Sequence, residues 1–272
     1  FERGDASTGE DFLGSWLQGF EAPASSYVHL SWHLALFEMA QGKYQETLDR
    51  YEKYIRPSVI ANNMAALNDS ASLMWRLQIY GGTPPPKPWD EVSKIAAPAA
   101  AGPGAAFRDA HAALAFAGSG DYELMGQMAN RLQNAAKRGD SFAREVILPL
   151  IQGLEAFAKE NYTEASRLME PVFPQLVRIG GSHAQREVFE DTLLEAYIRA
   201  EQFEKAEVML YGRLNQRESV RDTFWLGRVQ SGQGRSTEAN SSFHRVVQGW
   251  RAADSGTPEI SALNKQKAAV AQ

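Results

Sequence analysis

Tyr27-Val28-His29-Leu30-Ser31-Trp32-His33-Leu34-Ala35-Leu36-Phe37-Glu38, followed by Gly42-Lys43-Tyr44 and then Leu48 and Tyr51, reads as a helix, a tight turn and a second helix. Gly42 falls where the first helix should stop, because a residue without a Cβ enters the left-handed region at no steric cost. After a polar stretch at 58–68, Asn68-Asp69-Ser70-Ala71-Ser72-Leu73-Met74-Trp75-Arg76-Leu77 predicts a third helix, with Asp69 placed as its N-cap. A helix pair of this kind cannot bury its apolar face alone, so the flanking sequence should supply more of them.

It does so on both sides. Phe12, Leu13, Trp16, Leu17 and Phe20 make one helical stripe over 6–20, with Ser7 or Thr8 as the cap. Residues 81–88 and 97–104 are Gly- and Pro-rich and read as stiff connectors around a short helix that starts at Trp89. From Phe107 onward the predicted helices come in tight pairs: 107–117 with 122–137, 141–159 with 162–179, 184–200 with 203–213, and 219–231 with 236–252. A last helix should start at Thr257-Pro258-Glu259 and fray beyond Lys265.

Aromatic residues open the second helices at Tyr44, Trp89, Tyr122, Tyr162 and Phe203. Small residues (Gly153, Ala196 and Gly227 in first helices, Ala165, Ala206 and Ala239 in second ones) allow the paired helices to approach closely. This is the pattern of tetratricopeptide repeats, loosely spaced. The expected fold is therefore all-α: a right-handed superhelical solenoid of antiparallel helix pairs. About six pairs should span 1–256 as a single domain with the first pair incomplete, and 257–272 should form a C-terminal capping helix and tail.

Composition removes several classes of function. A net charge of −5 argues against a nucleic-acid surface, which needs clustered Lys and Arg. No apolar run approaches the ~20 residues that span a bilayer. The first residues carry neither the basic start nor the apolar run of a signal peptide. The chain has no cysteine, which excludes disulfides and thiolate sites and fits the cytoplasm. There is no P-loop, dinucleotide fingerprint or calcium loop, so no cofactor is expected.

Four blocks in order carry a family resemblance. They are His29 to Leu36 with Gly42, Tyr44, Tyr51, Asp69, Ser70 and Leu77; Phe107-Arg108-Asp109-Ala110-His111; Leu148-Pro149-Leu150; and Gly180-Gly181-Ser182-His183-Ala184-Gln185-Arg186-Glu187-Val188-Phe189. Together they resemble the tetratricopeptide repeat protein 38 family and its bacterial relatives over about residues 1–225. The resemblance implies a helical-repeat solenoid, matched to the C-terminal part of those proteins, with further repeats upstream. On that expectation the chain is N-terminally truncated, and an apolar face at 6–20 would pair with a second copy or with the missing repeats.

Chemistry, where present, should sit on the polar residues of these blocks. His29 and His33 are four apart and share a helix face, the spacing of two-histidine metal sites, though no Glu stands between them. A third ligand could come from Asp69, Asp109 or His111; the bland alternative packs both histidines against Trp32 and Trp75. His29, His33, Asp109 and His111 are also the candidate acid–base residues of an enzyme, a metal-dependent hydrolase in one version. Asp69, Arg76, Gln185 and Arg186 are the candidate ligand-binding residues for a carboxylate or phosphate, against a network of ion pairs between repeats. Ser182 and Gln185 also match a capping box after a glycine turn, which competes with an anion site there.

Two function classes follow. In the first, the concave face of a scaffold binds a peptide, a partner protein or a small anionic ligand. In the second, the histidines and aspartates converge in one closed pocket and the protein is an enzyme.

Overall fold

The computed structural model describes residues 3–19, 25–82, 86–102 and 104–270. Every regular element among them is helical. No described helix is long and apolar enough to cross a membrane.

In chain order, α1 (Ala6–Gln18) is capped not by Ser7 or Thr8 but by Asp5, whose carboxylate accepts from the Thr8 N–H at 3.1 Å. It is followed by α2 (Ser25–Ala40), α3 (Tyr44–Arg50), a π turn over Tyr51–Ile55 and α4 (Arg56–Ile60). α5 (Ala66–Ile79) starts three residues before the expected cap, which puts Asp69 in its first turn, where the helix dipole favours a carboxylate. α6 (Pro86–Ala96) begins inside the expected connector, because the first N–H groups of a helix have no partner and proline loses nothing there. Residues 83–85 of that connector lie outside the described residues.

Next come α7 (Pro98–Ala101), a short helix within the second expected connector, α8 (Ala106–Ser119) and α9 (Tyr122–Lys137). A second π turn over Ala143–Ile147 leads into α10 (Leu148–Ala158). Each π turn is followed by a helix whose second residue is proline, Pro57 or Pro149. Proline cannot donate to the carbonyl four residues back, and the turn before it widens. The helix expected over 162–179 is likewise cut by Pro171 and Pro174 into α11 (Tyr162–Met169) and a 3-10 segment, Phe173–Ile179. The chain ends with α12 (His183–Arg199), α13 (Phe203–Gln216), α14 (Val220–Gly232), α15 (Ser236–Gly249) and α16 (Pro258–Val270), whose backbone stays helical past Lys265.

One turn recurs at five places among the described residues. Gly42, Gly120, Glu160, Glu201 and Gly234 all have φ between 56° and 76°. The next residue in each case (Lys43, Asp121, Asn161, Gln202, Arg235) caps the following helix with ψ between 57° and 70°. In four of the five, that residue's N–H returns to a carbonyl five residues back, at 3.0 Å for Lys43 to Glu38 and 2.8 Å for Arg235 to Gln230. This is the Schellman closure of a helix C-terminus. Tyr44, Tyr122, Tyr162 and Phe203 directly follow the turn. Trp89 does not belong to this series: it lies inside α6 and packs edge-on against Trp75.

The chain divides into two compact units. The first holds Phe1–Ile55, Tyr80–Gly82 and Glu201–Gln272, so both ends of the chain share it. There Leu13 and Leu17 of α1 bury against Leu34 and Phe37 of α2. The α2–α3 turn is joined to the far end of the sequence: Trp250 Nε1–H donates to the Ala40 carbonyl at 2.8 Å, and the Thr257 hydroxyl to the Gly42 carbonyl at 2.8 Å.

The second unit holds Arg56–Ile79 and Thr83–Ala200. Its core is built around Trp75, which meets Trp89 and Phe157 and donates its indole N–H to Thr192 Oγ1 at 2.8 Å. Gly153 faces Met169 so closely that a Cβ there would collide with the methionine side chain. Gly227 stands in the same relation to Phe243 in the first unit.

Candidate functional site

His29 and His33 lie on α2 in the first unit, half-buried around the fully buried Trp32. The His29 ring stacks on the indole at 5.4 Å, and the His33 ring stands edge-on to both, 4.7 Å from each. Among the described residues, no third His, Asp or Glu completes a ligand set with them. The group of three that does come together is Glu10, Glu38 and Glu46. It already holds fixed cations: Lys43 Nζ bonds both Glu10 oxygens at 2.7 and 2.8 Å, and Arg50 Nε donates to Glu38 at 2.8 Å. Burial raises the Glu38 pKa, and the Arg50 contact opposes the rise.

The other candidates lie in the second unit. Asp69, Ser72 and Arg76 share one face of α5, and all three are buried. Arg76 is 2 % exposed. Its guanidinium donates to the Ala184 carbonyl at the start of α12 (2.6 Å) and to Ser72, and its Nε lies 4.0 Å from Asp191. The positive charge is thus taken up within the protein and does not face a ligand-accessible surface. Gln185 closes a capping box with Ser182, the backbone N–H of each donating to the other's side chain at 2.8 and 3.3 Å. Arg186 folds back onto the Gly180 and Gly181 carbonyls.

His111 joins this buried region. Its Nδ1–H donates to the Phe107 carbonyl at 2.7 Å, and its ring packs between Phe107 and Phe189. Burial, with the nearby Arg76 charge, pushes its pKa down to about 4. The ring is fully enclosed, with the Gln185 backbone beside it. Asp109 leaves α8 on the other side, as residues two apart must. Arg131 binds it at 2.7 Å; burial raises its pKa and Arg131 opposes the rise. The expected convergence of Asp109 with His111 does not occur.

Because His111 titrates near 4 when folded and near 6.5 when unfolded, its contribution to stability is complete above pH 6.5 and is lost as pH falls towards 4. The whole span is worth about 3 kcal/mol. Urea unfolding at pH 7 and pH 4.5 is expected to show that His111→Asn, which keeps a donor for the Phe107 carbonyl, loses much less stability on acidification than the wild type. Equal pH slopes would contradict it.

Two features escaped the sequence reading. Glu187, Asp191 and Glu195 form a stripe of buried carboxylates along α12, of which Glu195 is held by Arg199 at 2.8 Å. Their four-residue spacing is legible in the sequence, but their burial is not. The second is Arg221 on α14, buried and bonded to Tyr44, Glu259 and the Met39 carbonyl. No local pattern marks it, because its partners lie 38 to 182 residues away.

Compared with the known protein families and with solved structures, the chain matches none.

Proposed function

We propose that this chain is a helical-repeat binding protein of the tetratricopeptide type, related to the tetratricopeptide repeat protein 38 family, that holds a partner protein and does not turn over a substrate. The repeated turn, the aromatic residue that follows it and the small residues between paired helices support the repeat assignment. Helix pairs of this kind stack into a right-handed solenoid whose surface serves for binding. The neutral, enclosed His111 and the separate placement of Asp109 weigh against the hydrolase alternative. The absence of cysteine suits a cytoplasmic setting.

The observation that carries the reading is on α1. Leu13 and Leu17 are buried against α2, yet Phe12 is 74 % exposed and Trp16 47 % exposed, four residues apart on another face of the same helix. Paired large apolar residues on a helix surface suit the apolar face of a partner's helix.

The test is affinity capture with wild-type protein and with Phe12→Asp/Trp16→Asp, read by quantitative mass spectrometry. Sedimentation velocity runs alongside, to reveal a second copy as the partner. Phe12 is largely exposed and Trp16 about half, so the variant is expected to stay folded, which its thermal midpoint checks. It is expected to lose at least ten-fold in recovery of the partner, or to lose self-association. Equal recovery and unchanged self-association would sink the proposal.

A further inference from the structure

Residues 254–263 lie in the first unit as a bound peptide would. The Asp254 N–H donates to the Gly42 carbonyl at 3.1 Å, and its carboxylate accepts from the Gln45 N–H at 2.7 Å. The Thr257 hydroxyl donates to the same Gly42 carbonyl at 2.8 Å. Pro258 lies against Gly81. The Glu259 carboxylate accepts from the Tyr44 hydroxyl at 2.7 Å and from Arg221. Thr257, Glu259 and Leu263 are all buried.

The receiving side is built for a carboxylate. The Arg221 guanidinium sits 3.7 Å over the Tyr80 ring and within 6 Å of the Trp250 and Tyr44 rings. Aromatic faces around a guanidinium orient its planar fork and keep water away from it. Both ends of this fork are engaged, but Glu259 supplies only one of the acceptors. Arg221 gives one end to Glu259 Oε1 and the other to the Met39 carbonyl at 2.8 Å. Glu259 Oε2 is buried with no hydrogen bond. A carboxylate that used both oxygens would hold a guanidinium more tightly.

We propose that the turn at 42–45, together with Arg221, Tyr80 and Tyr44, is a recognition site for acidic peptides of the pattern Asp-x-x-Thr-Pro-Glu-x-x-x-Leu. Residues 254–263 occupy it in cis, and the same pattern presented by a partner displaces them. The backbone of the α2–α3 turn reads Asp and Thr, and Arg221 and Tyr44 read Glu. A partner whose carboxylate also seats its second oxygen gains the hydrogen bond that Glu259 Oε2 leaves unmade. The site does not use the face of α1, and the two proposals stand or fall separately.

The probe is a fluorescein-labelled peptide of residues 252–264, titrated by anisotropy into the full chain. Two full-chain variants loosen the cis segment: Glu259→Lys, and Asp254→Ala/Thr257→Ala, which leaves the Arg221 pairing untouched. Each is expected to bind the peptide at least ten-fold more tightly than wild type, and a peptide with Gln in place of its Glu should bind at least ten-fold more weakly. Phe12→Asp/Trp16→Asp should bind it as wild type does.

In wild-type protein, a large excess of unlabelled peptide is expected to speed amide exchange across 254–263 while 38–46 stay protected. No saturable binding to either variant together with unchanged exchange in wild type, or binding indifferent to the Glu→Gln change, overturns the proposal.

Discussion

Replacing Arg221 with methionine is expected to cost the first unit about 3–5 kcal/mol, because the buried Glu259 carboxylate is left without its cation. The Met39 carbonyl and the Tyr44 hydroxyl lose a donor in the same step. Tyr44 cannot take over the charge. Burial, reinforced by Glu259, holds its phenol well above the ordinary pKa, so it remains a neutral donor. The thermal midpoint should fall by about 10 °C, and amide protection should drop first across 254–263. The double variant Arg221→Met/Glu259→Met should recover most of the loss, since an apolar pair of similar volume replaces a buried ion pair at little net cost. If the single variant were as stable as wild type, the cage would be a surface contact and not the tie between the two ends of the chain.

Trp75→Ala should have a comparable effect in the second unit, about 3–5 kcal/mol. The indole is fully buried between Trp89 and Phe157, and its loss leaves a cavity that α5, α6 and α10 cannot close without shifting. Trp75→Phe separates packing from hydrogen bonding. It keeps most of the apolar area and removes the N–H that reaches Thr192, at a cost of about 1 kcal/mol. Thr192 retains its own donation to the Val188 carbonyl at 2.6 Å, which keeps the second cost small. Denaturant unfolding of the three proteins should rank wild type, Trp75→Phe and Trp75→Ala in falling stability, with the larger gap below phenylalanine. Near-equal losses would place the hydrogen bond above the packing.

The surroundings of the candidate site residues are set by packing that no local pattern announces. His29, His33, Asp109 and His111 attracted attention as residue types, since histidine and aspartate do acid–base and metal chemistry wherever they converge. Their neighbours decide otherwise. Phe107 and Phe189 enclose His111, Arg131 captures Asp109, and both α2 histidine rings pack on Trp32. Arg76 looked like an anion receptor and proved to be a strut that reaches the Ala184 carbonyl on another helix. By contrast, the Ser182–Gln185 capping box was readable from spacing alone and is present as read. A cap involves residues three apart on a single turn, whereas a site needs side chains that only the packing of separate helices brings together.

By itself the sequence determined the helices, most of their ends and the close pairing of several. These depend on 3.6-residue periodicity, on glycine in the left-handed region and on caps, all of which act within a few residues. It even carried the positions of the repeated turn, although at Glu160 and Glu201 no glycine announces it. Only the tertiary structure decided which polar groups are buried and with whom. Arg221 meets Glu259 and the Met39 carbonyl, Trp75 meets Thr192, and the segment before α16 closes on the α2–α3 turn. Those pairings arise because a buried polar group must find a partner wherever the chain supplies one. Distance along the sequence does not enter that requirement, so nothing local announces its solution.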